Sequence, residues 1–207
     1  MPAENENEIV IVSGLPRSGT SLMCQMLDNG GVEVVTDSIR TPDTDNPRGY
    51  YELEKVKKIK LDAAWLPDTR GKAFKMVSQL LLDLPATEHY RIIFLRRDLE
   101  EILDSQEKML ARLGRAAAPR EQIRPAFVAH LDRVFRWLAG QPHIALLEVD
   151  YQDLIERPAE MAEAVNAFIG GRADFSRMAA SVDPTLYRNR KPAAASGIQP
   201  VDARVLM

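Results

Sequence analysis

The stretch Ile9-Val10-Ile11-Val12-Ser13-Gly14-Leu15-Pro16-Arg17-Ser18-Gly19-Thr20-Ser21-Leu22-Met23 runs from an apolar segment through a glycine-punctuated loop into the start of a helical pattern. The run Ile9 to Val12 predicts a buried strand, and Leu22, Met23, Met26 and Leu27 recur at helical spacing. Strand, tight loop and helix start together form an anion holder. Glycines let the loop backbone close around a phosphate-like group, and the first helical N–H groups point at it with the positive end of the dipole behind them. The spacing is G-x-x-x-x-G, but Thr20 follows the second glycine where a Walker A loop needs lysine. The positive charge lies inside the loop as Arg17, whose guanidinium grips two oxygens of one anion, a geometry lysine lacks. Ser18, Thr20 and Ser21 add hydroxyl donors. Such a cradle suits something other than an ATP γ-phosphate with magnesium.

A chain of 207 residues, 45% hydrophobic, buries one good core, so one domain is expected, its core spanning about residues 9–170 and an irregular tail covering 183–207. The net charge of −3 gives no broad electrostatic reason to expect nucleic acid. Cys24 is the single cysteine, which excludes an internal disulfide or a cysteine metal cluster. Residues 1–8 are acidic and lack the basic start and apolar stretch of a signal peptide, and no run is long enough to span a membrane. The expectation is a cytoplasmic protein that is not membrane-bound and needs no metal.

Further strands are expected at Val32 to Val35, Ala73 to Val77, Arg91 to Leu95 and Ile144 to Val149. Helical patterns lie between them, so the fold class is α/β, a central parallel sheet with helices on both faces. The first helix is expected to end at Asn29-Gly30-Gly31. Residues 36–49 read as a long loop over a site, followed by a helix from Tyr51 to about Trp65. Asp98 is the expected N-cap of a helix reaching about Leu113. Helices are also expected over Arg120 to Leu138 and from Pro158 to near Gly170.

Three separated segments resemble the sulfotransferase family, enzymes that use 3′-phosphoadenosine 5′-phosphosulfate (PAPS). Gly14 to Ser21 is similar to the 5′-phosphosulfate loop, particularly its Pro-Arg-Ser-Gly-Thr form in tyrosylprotein sulfotransferases. Ile92-Ile93-Phe94-Leu95-Arg96-Arg97-Asp98 through Ser105 resembles the 3′-phosphate motif, in which a strand-end arginine and a helix serine eight positions later hold the phosphate. Leu147 to Pro158 resembles the strand and Tyr-x-Asp-Leu turn near the adenine. The resemblance implies a P-loop nucleotide-kinase-like fold and transfer of a sulfuryl group from PAPS to a hydroxyl or amine. The acceptor would be a small molecule, a carbohydrate or a peptide.

On that basis Pro16, Arg17, Ser18, Gly19, Thr20 and Ser21 would hold the phosphosulfate, and Arg97 and Ser105 the 3′-phosphate. Without the family, Arg97 is equally well paired with Asp98, Glu100 or Glu101, and Ser105 is an exposed helix residue. Arg96 should point to the opposite face from Arg97. Lys75, in Lys72-Ala73-Phe74-Lys75-Met76-Val77-Ser78, resembles the lysine of the family's Lys-x-His strand and would meet the leaving oxygen. Its alternative is a solvent-facing strand lysine. Tyr151 is either an adenine contact or a half-buried core residue. Arg188, with Arg190 and Lys191, either closes over the 3′-phosphate or is a solvated basic tail.

The chain departs from the family at Val77, where many cytosolic sulfotransferases carry the catalytic histidine. None of His89, His130 or His143 occupies a comparable place in the sequence, and each reads as a surface or strand-end histidine. Tyrosylprotein sulfotransferases use a glutamate after the second strand. The ungapped comparison puts Ser38 opposite it with Asp37 adjacent, which makes Asp37 the candidate base and Glu52 its competitor. Arg40 either binds substrate or pairs with Asp37. Two other readings stand beside the sulfotransferase: a P-loop kinase or nucleotide hydrolase with a degenerate loop, and a binding protein that keeps the nucleotide cradle without catalysis.

Overall fold

β1 (Ile9–Gly14) is buried along its whole length, and its alternation explains why the run must be continuous. Val10 and Val12 enter one hydrophobic layer while Ile9 and Ile11 enter the other, as expected of a central strand covered on both faces. The computed structural model describes residues 7–37, 49–186 and 205–206. Within these, β1 lies between β2 (Ala73–Val77) and β3 (Tyr90–Arg96), and β4 (Ile144–Asp150) pairs outside β3. All four strands are parallel. A short β5 (Val205–Leu206) adds an antiparallel edge to β4.

The layer containing Val10 and Val12 is closed by α1 (Thr20–Asn29), α5 (Pro158–Phe168) and α6 (Phe175–Ala180), with α4 (Tyr151–Glu156) at its upper end. The opposite layer holds α3 (Arg120–Leu138) and two 3₁₀ turns, Glu54–Lys58 and Leu66–Thr69. α2 (Leu99–Arg112) follows β3 and is capped by Asp98, whose carboxylate accepts the Glu100 and Glu101 N–H groups at 2.8 and 3.2 Å. Arg120, at the start of α3, binds α2 through Asp104 and Glu107 at 2.5 and 2.6 Å. The α/β class and the layering match the sequence expectation. Among the described residues no helix is long and apolar enough to cross a membrane.

Several local expectations are corrected. Val32 to Val35 is not a strand: Val34 forms an isolated bridge to Ala73. Beyond it the chain leaves the sheet, because the Thr36 hydroxyl and the Asp37 N–H both bond to the Glu52 carbonyl. No α-helix spans Tyr51 to Trp65. The buried residues Leu53, Val56 and Ile59 recur every third position, the period of a 3₁₀ helix and too short for an α-helical stripe. α1 ends as expected, but Gly31 rather than Gly30 takes the left-handed conformation, with φ +90°. The tail expected to be irregular contributes a 3₁₀ turn at Pro184–Leu186 as well as β5.

The register aligns Gly14 with Val77 on one side and Leu95 on the other. The loops after β1, β2 and β3 therefore open at the same carboxyl edge, where ligands of open α/β sheets bind.

Candidate anion-binding site

The loop from Leu15 to Gly19 is shaped by close approaches. A Cβ on Gly14 would lie 2.4 Å from Ser18 Oγ and 2.8 Å from the Leu95 carbonyl. Gly19 precedes α1 with φ +101°, and a Cβ there would lie 2.3 Å from the Tyr151 ring. Arg17 takes φ +71°, a left-handed conformation uncommon outside glycine and concentrated at ligand clamps and other functional sites. Pro16 is exposed at the tip, and Thr20 opens α1. The Ser18 hydroxyl is buried and has no hydrogen-bond partner among the described residues. An unsatisfied buried hydroxyl costs about 1–3 kcal/mol, which a bound anion would relieve.

Arg17 reaches across the sheet edge: its Nε donates to Ser105 Oγ at 2.9 Å. Ser105, on α2, is 2% exposed, so it is not the exposed helix residue of the alternative reading. Arg97 joins the same cluster, donating from one terminal nitrogen to the Arg17 carbonyl at 3.1 Å. Its Nε pairs with Glu101 at 3.0 Å, and both side chains are buried. The Arg97 guanidinium stacks 4.4 Å from the centroid of the Tyr151 ring. Tyr151 is therefore a buried packing residue, its ring set between Gly19 and Arg97. Burial pushes its hydroxyl pKa up, and Arg97 opposes that shift.

Arg96 turns the other way, as adjacent strand residues must. It pairs with Glu148 at 2.9 Å and lies over the Phe135 ring. Arg96, Arg97, Asp98, Glu101, Asp150 and Gln152 line a cavity of about 330 Å³ beside the loop. Asp150 is raised above the usual carboxylate range, chiefly by burial.

Lys75 lies on the α1 side of β2. Its Nζ donates to the Tyr50 carbonyl and sits 3.5 Å from Ser21 Oγ, in the first turn of α1. This is not a solvent-facing lysine. Asp37 Oδ2 accepts the backbone N–H of Glu54 at 2.5 Å, at the start of the Glu54–Lys58 turn. Glu52 contributes its carbonyl to Thr36 and Asp37. Ser38, Arg40, Arg188, Arg190 and Lys191 lie outside the described residues.

One group escaped sequence reasoning. His130 is not an ordinary surface histidine, because its Nε2 lies 2.9 Å from Ser78 Oγ at the end of β2. The chain separation is 52 residues, and no local pattern marks the pair. Its pKa is lowered by partial burial and by Arg133.

No family model and no curated protein sequence matches the chain. Among solved structures, a sulfotransferase domain from the curacin biosynthetic pathway is 15% identical, with a TM-score of 0.50 over 91% of this chain and 93% of that one. A sugar kinase from Janibacter sp. HTCC2649, in an unliganded structure, is also 15% identical, with a TM-score of 0.43 over 87% of this chain and 98% of that one. What the first similarity establishes is the architecture: this chain has a P-loop-like, sulfotransferase-like α/β fold.

Proposed function

We propose that this protein is a PAPS-dependent sulfotransferase. The observation that carries the reading is the hydrogen bond from Arg17 to Ser105 at 2.9 Å. It joins the glycine loop to the β3–α2 motif, so two sets of anion donors adjoin, as a ligand with a 5′-phosphosulfate and a 3′-phosphate requires. The buried Ser18 hydroxyl beside Arg17, without a hydrogen-bond partner among the described residues, supports an anion in the loop.

Bound PAPS would supply a sulfuryl group activated by its link to the 5′-phosphate. The residues from Pro16 to Ser21 hold the phosphosulfate, with the Arg17 guanidinium on its oxygens. Lys75, near the first turn of α1, supplies fixed positive charge for the oxygen that departs. Arg97 and Ser105 hold the 3′-phosphate, and Tyr151 keeps Arg97 in place while edging the adenine side. Arg188 is proposed to close over the same phosphate. Positioning and fixed charge supply most of the acceleration in such displacements, and no residue role here calls for a metal. The acceptor is a small molecule, carbohydrate or peptide bearing a hydroxyl or amine, and the proposed compartment is the cytoplasm.

The test compares thermal unfolding with 3′,5′-adenosine bisphosphate and with ATP plus magnesium. At a hundredfold excess over its dissociation constant, a ligand bound by the folded state adds about 2.7 kcal/mol, or roughly 5–10 °C in Tm for a chain of this size. The bisphosphate is expected to give that shift. A shift with ATP and none with the bisphosphate would replace this reading with the P-loop kinase or hydrolase.

A further inference from the structure

The carboxyl end of β2 holds a pair of side chains that the roles above leave unused. Ser78 follows Val77 directly and is fully buried, and its hydroxyl meets His130 Nε2 at 2.9 Å. Alternation along β2 sets the directions. Ala73 packs in the layer of α1, Phe74 and Met76 in the layer of α3. Val77 is still extended, with φ −67° and ψ 145°, so Lys75 and Val77 share the α1 side while Ser78 turns to α3. Along α3, Val134 and Leu138 are buried, whereas residues 121–129 are largely exposed. His130 thus stands where α3 meets the turn after β2, its contact Ser78 lying one residue along the chain from Val77 and three from Lys75. Val77, 40% exposed, is apolar and cannot take a proton there.

We propose that His130 is the catalytic base that takes the acceptor's proton, and that Ser78 is its positioning residue; this rests on the sulfotransferase reading. With Ser78 Oγ accepting the Nε2–H, the neutral ring keeps its lone pair on Nδ1, the second nitrogen, and the hydroxyl holds both tautomer and ring plane. The groups acting on the ring are Ser78 from the turn after β2 and Arg133 from its own helix; with burial, Arg133 favours the neutral form. In the step, the proton of the acceptor O–H or N–H goes to Nδ1 as the acceptor atom bonds to sulfur. The sulfur–oxygen bond to the 5′-phosphate breaks, and its electron pair leaves with the adenosine bisphosphate. Asp37 is the rival, and its carboxylate is engaged by the Glu54 N–H.

Two measurements test this on the full chain. Nitrogen-15 NMR of the histidine rings is expected to show His130 protonated on Nε2 and bare on Nδ1 at neutral pH, with Ser78→Ala losing that preference. A ring protonated on Nδ1 overturns the proposal, since that atom then has no lone pair to accept with. In the second, radiolabelled PAPS is supplied with water and with phenol as acceptors. His130→Ala and His130→Gln should each lower transfer about 10²–10⁴-fold while bisphosphate affinity stays within about twofold, and added imidazole should restore rate to the alanine variant. Full activity in both variants, or a comparable loss confined to Asp37→Asn, overturns it. If the parent binds the bisphosphate but transfers to neither acceptor, the nucleotide cradle stands, the base role falls, and the binding-protein reading is favoured. If the bisphosphate does not bind, the sulfotransferase reading falls and this one with it.

Discussion

Arg17→Ala is expected to abolish sulfuryl transfer from labelled PAPS, with a loss of at least about 10³-fold. Removing a single preorganised donor from a developing negative charge costs about 10²–10³ in rate, and this change also removes a full positive charge and the contact to Ser105. Arg17→Lys keeps the charge but lacks the planar fork, so it should recover only part of the loss. Arg17→Gly separates the side chain from the backbone. The native φ of +71° costs a non-glycine residue of order 1–3 kcal/mol, and glycine removes that cost. The glycine variant should therefore unfold at higher urea concentration than the alanine variant while being equally inactive. Unchanged transfer and bisphosphate affinity in Arg17→Ala would end the assignment of this loop.

The second large effect is expected at Gly19, where Gly19→Ala should destabilise the fold by about 2–6 kcal/mol. Two terms contribute. Backbone at φ +101° strains any L side chain by about 1–3 kcal/mol, and overpacking a tight contact costs about 1–3 kcal/mol more. The contact in question is the Tyr151 ring, 2.3 Å from the added carbon. Tyr151 cannot retreat freely, because Arg97 stacks on it and Arg97 in turn holds the Arg17 carbonyl. Bisphosphate affinity should fall together with stability. Urea denaturation of Gly19→Ala, Tyr151→Ala and the double variant separates the terms. Overpacking predicts that the Gly19→Ala penalty shrinks when the ring is absent, leaving the backbone strain. A penalty unchanged by the loss of Tyr151 would show that the ring does not brace the loop.

These two positions illustrate what is legible in a linear chain. β1 and β3 are legible because a strand buried on both faces must be apolar at successive positions. α3 was legible because Phe127, Leu131, Val134 and Leu138 return at helical intervals. The 50s segment misled because Leu53, Val56 and Ile59 have a spacing that a short window does not separate from a helix; the three-residue period of the turn wins once these side chains meet the sheet. Val32 to Val35 misled for a different reason. Its apolar residues are compatible with a strand, but the Glu52 carbonyl takes the hydrogen bonds of Thr36 and Asp37 and draws the chain away from β2.

The candidate site divides in the same way. The glycine loop, Arg97 and Ser105 were named from local motifs, because loop closure, strand ends and helix turns are set by residues a few positions apart. The joining of Arg17 to Ser105 spans 88 residues, and that of Ser78 to His130 spans 52. Neither contact follows from periodicity or propensity. By itself, the sequence determined the α/β class, the glycine loop and the arginine inside it, since these depend on burial patterns and backbone chemistry within short windows. The tertiary structure alone decided that Tyr151 packs between Gly19 and Arg97, that the glycine loop and the β3–α2 segment touch, and that a histidine from α3 meets the Ser78 hydroxyl. The parallel register makes the difference: it brings the carboxyl ends of strands far apart in the chain to one edge, and only there do their side chains meet.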